Sequence, residues 1–306
     1  MLHNGVLVAI ISHGMIGLSL LWDKVLLKRP FTQNLLSYVF WMGAMSVLGA
    51  IVAIFGFSLP TPGIIALAMG SGALELLAVY FYYLALQLGE ASESLAIMGG
   101  FSPVATAIFG IPIIGHAWGH AGPLGFSLMV AGGFLMFLAE KLPYKRMLPP
   151  ILMGSLLFGL VNVLQKKVFK QTGFVDGFVF ITLGMFAASL CLLAPRSWRR
   201  QIFENTGSAE PSSKFWYFVN RFVNGLGAFG IYYAISLANP AEVDAISAIR
   251  YVIIFLGAWW MSAFRPDWLK EDFSRNVLIS KVIATALVGT GIALVGLHGG
   301  PATTGR

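Results

Sequence analysis

The side chains in this chain most able to do chemistry are charges standing inside apolar runs. Arg250 sits within "AISAIRYVIIFLGAWW" and Glu75 within "ALAMGSGALELLAVYFYY". In hydrocarbon an isolated guanidinium or carboxylate is costly, so each must face a counter-charge, water or a solute. A guanidinium suits a carboxylate or phosphate, which it can grip with two hydrogen bonds. A carboxylate beside tyrosine faces suits an ammonium group or a proton. Facing each other across a pocket, Arg250 and Glu75 would hold a zwitterion such as an amino acid. The alternative is a structural ion pair between Arg250 and Glu75, Glu242 or Asp244. The positive end of a helix dipole already accounts for Glu242 and Asp244, near the start of that segment.

Two polar stripes at helical spacing extend the set. His13, Gly17 and Lys24 recur at i, i+4 and i+11, and so do Ser155, Gly159 and Lys166, with Asn162 at i+7 in the second stripe. Such faces turn toward a bundle interior or a watery cavity, or else join helices through small residues. His13 titrates near neutral pH, which makes it, with Glu75, a candidate for proton coupling. Arg221, Asn224, Ala228 and Tyr232 form a third stripe, comparable to Gly72, Glu75, Ala78 and Tyr82. Candidate substrate ligands are therefore Arg250, Glu75, Tyr82, Tyr232, Asn224, Asn162, Lys24 and Lys166. Tyr82–Tyr83 and Tyr232–Tyr233 also have the character of interface anchors.

Other chemistries find no support. His116 and His120 have metal-ligand spacing but no third ligand nearby, and "HAWGHAG" has the composition of a turn, so no metal or other cofactor is expected. The single Cys191 leaves no disulfide to form within the chain. HExxH, GxSxG and P-loop motifs are absent, which argues against an enzyme.

The elements that must position these residues follow from composition. Of 306 residues, 57% are hydrophobic and 11% charged, and no charge falls at 35–73, 95–138 or 223–240. Runs of about 20 apolar residues span a bilayer as helices, which satisfy their own backbone there. Ten such segments are predicted near 5–23, 34–57, 62–87, 92–114, 121–139, 148–168, 175–194, 214–237, 241–263 and 276–297. The polar stretch 195–214 has the composition of a soluble loop with one interfacial turn. The net charge of +7 resides in short loops, where it fits topology signals and anionic headgroups rather than nucleic acid.

The chain also repeats itself. "YYLALQLGEA" at 82–91 matches "YYAISLANPA" at 232–241, an offset of 150, and "DKVLLK" at 23–28 matches "KKVFKQ" at 166–171, an offset of 143. A duplication of five helices results, with units 1–142 and 143–306. An odd number of helices per unit inverts the second unit across the membrane and places a substrate site near the midplane. The expected fold is thus all-α and polytopic, with ten transmembrane helices as two inverted five-helix repeats.

With the Tyr-Tyr ending of the third helix and the mid-segment Pro103 of "LAIMGGFSPVATAIFG", this pattern resembles the drug/metabolite transporter superfamily, in particular its EamA-like ten-helix members. The resemblance covers nearly the whole chain. It implies a central cavity lined by helices 1, 3, 4, 6, 8 and 9 that opens to alternate sides, and His13 stands where small multidrug members carry a proton-binding carboxylate. This chain departs from the pattern at Ile253, which stands in the second half where Pro103 stands in the first.

The function expected is secondary transport of a small polar or amphiphilic, amino-acid-like metabolite across a cell inner (plasma) membrane. An organic-phosphate exchanger or a lipid-headgroup flippase of the same fold is the alternative, and a non-transporting scaffold the alternative from another class. The expected partners are a small-molecule substrate and the lipid bilayer, without nucleic acid. Oligomeric state is not fixed by the sequence, and a monomer is compatible with it. Loop cations place both termini outside the cytoplasm by the positive-inside rule, whereas the resemblance implies termini inside.

Overall fold

The computed structural model describes residues 4–26, 34–88, 91–115, 122–138, 144–264 and scattered positions between 279 and 294. Among these residues the chain is helical, with no strand. The helices are α1 (Asn4–Leu26), α2 (Leu35–Met45), α3 (Pro62–Leu88), α4 (Ala91–Ile114), α5 (Gly122–Leu138), α6 (Tyr144–Thr172) and α7 (Phe174–Cys191). There follow α8 (Arg196–Ser208), α9 (Pro211–Leu237), α10 (Pro240–Ala245) and α11 (Ile249–Phe264), with helical positions again between 279 and 291. The first eight predicted apolar segments fall on described helix, the ninth on several shorter elements, and the tenth, 276–297, lies largely outside the described residues. His116 and His120 lie outside the described residues.

Among the described residues, five helical stretches are long and apolar enough to cross a membrane: Asn4–Asp23, Leu35–Phe55, Pro62–Leu88, Arg146–Thr172 and Phe174–Cys191. Their outer faces leave Ile11, Leu18, Ile51 and Ile54 more than half exposed. Apolar surface on that scale suits lipid, and the chain is a helical membrane protein. α9 matches α3 in length at 27 residues, but its inward face carries Asn220, Arg221 and Asn224, which lowers its hydropathy.

Three features depart from the sequence reading. The stretch expected as a loop at 195–214 contains α8, an amphipathic helix that buries Ile202 and accepts a hydrogen bond at Thr206 Oγ1 from Trp41 Nε1 (2.9 Å). Its Ile202 and Thr206, four residues apart, fall on one helical face. Second, α2 tightens into a 3₁₀ helix over Ser46–Phe55, an unusually long run for that geometry. In a 3₁₀ helix residues three apart eclipse, so Ser46 and Gly49 share a ridge. That ridge meets α7 at Thr182, where Ser46 Oγ donates to the Thr182 carbonyl (2.9 Å). Third, the segment expected at 241–263 is broken into α10, a 3₁₀ turn at Ile246–Ala248 and α11. No proline is needed for this break; Asn239 caps α10 by accepting from Ala241 N, and the turn re-aims the chain.

Two kinds of contact hold the bundle. α1 lies along α9 and α11, while α6 lies along α3 and α4. The stripe glycines make close approaches here: a Cβ on Gly17 would lie 3.3 Å from Arg250 Cα, and one on Gly159 2.7 Å from Thr106 N. α3 and α7 meet backbone to backbone, since a Cβ on Gly72 or Gly184 would overlap the facing main chain.

Candidate functional site

Residues of the stripes meet around one cavity. A cavity with about 1000 Å³ of empty space, part of it open to the outside, lies between α1, α3, α4, α6, α9 and the α10–α11 corner. These are the elements at helices 1, 3, 4, 6, 8 and 9 of the ten-segment count. His13, Glu75, Tyr82, Asn162, Asn224, Tyr232 and Arg250 all line this cavity. Two candidates do not join them. Lys166 Nζ donates to the Ser236 carbonyl (2.9 Å) and lies outside the cavity lining; the side chain of Lys24 is outside the described residues.

Arg250 is held by histidine rather than by a carboxylate at the described contact. Its Nε donates to His13 Nδ1 (2.9 Å), and His13 Nε2 lies 2.8 Å from the Val243 carbonyl. A carbonyl only accepts, so Nε2 carries the ring proton; Arg Nε only donates, so Nδ1 is bare. His13 is therefore neutral in this arrangement. A second proton would set N–H against N–H, so proton coupling at His13 requires Arg250 to swing away.

Glu75, half-buried on α3, lines the same cavity, with no cation paired to it among the described residues. Its Oε2 accepts from Gln165 Nε2 (3.0 Å) and from the Tyr232 hydroxyl. Both donors are neutral, so the carboxylate, if ionised, keeps an uncompensated charge. The ion pair with Arg250 considered from sequence does not form here.

Asp244 is the residue that sequence reasoning assigned to a helix end and that the structure turns inward. Its Oδ2 accepts from Ser102 Oγ (2.7 Å) and Thr106 Oγ1 (2.6 Å) on α4, and it interacts electrostatically with Arg250. A charge in the second half is thus tied to hydroxyls of the first. Ser102 and Thr106 are four apart on one helical face, a signal that was readable but shared by many packing faces.

A second polar cluster was missed. Asp23 and Arg221 form an ion pair with side chains 0% and 2% exposed. Asp23 Oδ1 also accepts from Asn220 Nδ2 (2.6 Å) and the Tyr38 hydroxyl, and Oδ2 from the Tyr83 hydroxyl (3.1 Å). The Arg221 guanidinium lies 5.1, 5.8 and 5.6 Å from the ring centroids of Tyr38, Tyr83 and Tyr217, within cation–π range. Arg221 stands within an apolar segment just as Arg250 does; the rule that singled out one applies equally to the other. Tyr83 also lines the central cavity, so this cluster borders it.

Comparison with known proteins gives a fold and no name. No family model matches the chain, and no curated protein matches it. A solved structure described only as "Crystal structure of protein" is similar over the full length of both chains, at 17% identity with a TM-score of 0.63. That similarity shows a shared fold alone.

Proposed function

We propose that this protein is a secondary transporter of the EamA-like drug/metabolite type, and not an enzyme. It crosses an inner (plasma) membrane ten times as two inverted five-helix repeats. The cargo is a small polar or amphiphilic metabolite with an amino-acid-like head. The observation that carries this reading is a half-open cavity holding an acid with only neutral partners, Glu75, and a base, Arg250, bound by an uncharged imidazole. Asp244 also interacts with Arg250, and an acid and a base lining one cavity are complementary to a solute that bears both signs.

In this mechanism Arg250 grips the anionic group and Glu75, presented by Tyr232 and Gln165, takes the amine or a proton. Asn162 and Asn224 supply further hydrogen bonds, and Tyr82 shapes the wall. The site lies where elements of the two halves meet, so rocking one half against the other exposes it to either side. The test is flux of radiolabelled amino acids into proteoliposomes containing the purified protein. Saturable uptake that Arg250→Ala removes, with the folded yield unchanged, is the expected result; equal uptake by Arg250→Ala would remove this residue from the site.

A further inference from the structure

The central cavity has an apolar neighbour. A cleft with about 1010 Å³ of empty space runs between the 3₁₀ helix Ser46–Phe55 and α9. It shares Met42, Glu75, Asn224, Ala228 and Tyr232 with the central cavity. Glu75 therefore belongs to both walls, at the junction. Beyond the shared residues the cleft is lined mainly by apolar side chains, with Arg221, already paired to Asp23, and the hydroxyl residues Ser46 and Thr182 among them; its rim residues Leu48, Ile51, Phe222 and Leu226 are 58%, 68%, 58% and 48% exposed. Leu48, Ile51 and Ile54 lie three apart on the 3₁₀ helix, so they eclipse into one outward ridge. The ridge faces the bilayer beside a stretch apolar enough to cross it.

The cleft is not a packing accident shared by all the helix pairs. On the α3–α7 side, Gly72 and Gly184 let the backbones touch, whereas Phe222 and Leu226 project on the α9 side. Between them Gly225 leaves a gap, because a Cβ there would meet nothing within 4 Å.

We infer that this cleft is a chain-binding annex of the central site, and that the cargo is a zwitterionic amphiphile whose single apolar chain enters sideways from the bilayer. The inference rests on the transport reading for the head group and adds the tail. Charge complementarity fixes the orientation. The amine sits at Glu75, where the two cavities join, the acid points to Arg250, and the chain leaves from beside the amine into the cleft. A cargo of amino-acid size would leave the annex empty, and a two-chain lipid would need a second groove.

The test uses the full-length protein in lipid nanodiscs and a series with one head and growing tails: alanine, norleucine and an α-amino acid with an octyl side chain. Affinities for wild type and Gly225→Leu are compared, which cancels partitioning of the probes into lipid. The leucine has room at position 225 and fills the annex. Wild-type affinity should tighten by up to about fourfold per methylene, while Gly225→Leu binds alanine as wild type does and gains little with length. The same length dependence in both proteins would overturn the annex. An octyl probe with a terminal diazirine should crosslink to residues 46–55 and 222–229; crosslinks confined elsewhere would also overturn it. The crosslinks are repeated in Arg250→Ala. Cleft labelling that persists there with alanine affinity unchanged would refute the head assignment and leave the annex standing.

Discussion

Two arginines within apolar helices divide the molecule's polar interior into different designs. Arg221 faces Asp23 inside a shell of three tyrosines and an asparagine. Arg250 hydrogen-bonds a neutral histidine and interacts with Asp244 in a cavity that Glu75, bonded to Gln165 and Tyr232, also lines. The first cluster neutralises itself, and its directional contacts tie α1, α2, α3 and α9 into one register. The second lines a cavity with acid and base from separate helices. In a membrane interior, a pair closed on itself specifies structure and charges lining a cavity specify cargo.

Substitutions sharpen this contrast, beginning with the largest effect. Removing one partner of a buried ion pair strands the other and costs about 3–5 kcal/mol. Asp23→Ala should therefore sharply reduce folded yield and thermal stability, measured by unfolding in detergent. Arg250→Ala should leave stability near wild type but weaken cargo binding about thirtyfold or more, the scale for truncating a charged, hydrogen-bonded contact, read by equilibrium binding in nanodiscs. If Arg250→Ala unfolds the protein as Asp23→Ala does, the distinction between the two arginines is lost. Glu75→Gln should cost about tenfold in affinity for amine-bearing cargo and leave amine-free analogues unaffected, which a competition assay resolves. The smallest effect belongs to Tyr217→Phe. It loses the hydroxyl bond to the Tyr38 carbonyl (2.8 Å), worth about 1 kcal/mol, a small shift in thermal midpoint with transport intact.

Much of this was readable in the sequence, for reasons that differ between elements. The apolar runs coincide with helices because a bilayer leaves a backbone few alternatives. Seven candidate residues met in one cavity because polar side chains on long apolar helices have only inward directions to take. What escaped was pairing and local geometry. Nothing in the composition of 195–214 separates a polar loop from α8, whose docking rests on Phe203 and Thr206 finding Phe40 and Trp41. The turn at Ile246–Ala248 carries no proline, yet it swings Asp244 from a helix end to the hydroxyls of Ser102 and Thr106. Asp23 stands at the edge of its segment, and its partnership with Arg221, 198 positions away, lay beyond any local pattern.

The account depends most on the cavity being reached in turn from both sides. Ala228 lines both the central cavity and the cleft, and Cys191 is the chain's single cysteine. Ala228→Cys in a Cys191→Ala background therefore places one thiol in the site. In oriented vesicles, a membrane-impermeant maleimide should label this thiol from either face, and saturating cargo should shift the two labelling rates in opposite directions. Labelling from one face alone, unmoved by cargo, would contradict a carrier and leave a membrane protein with a fixed, one-sided pocket.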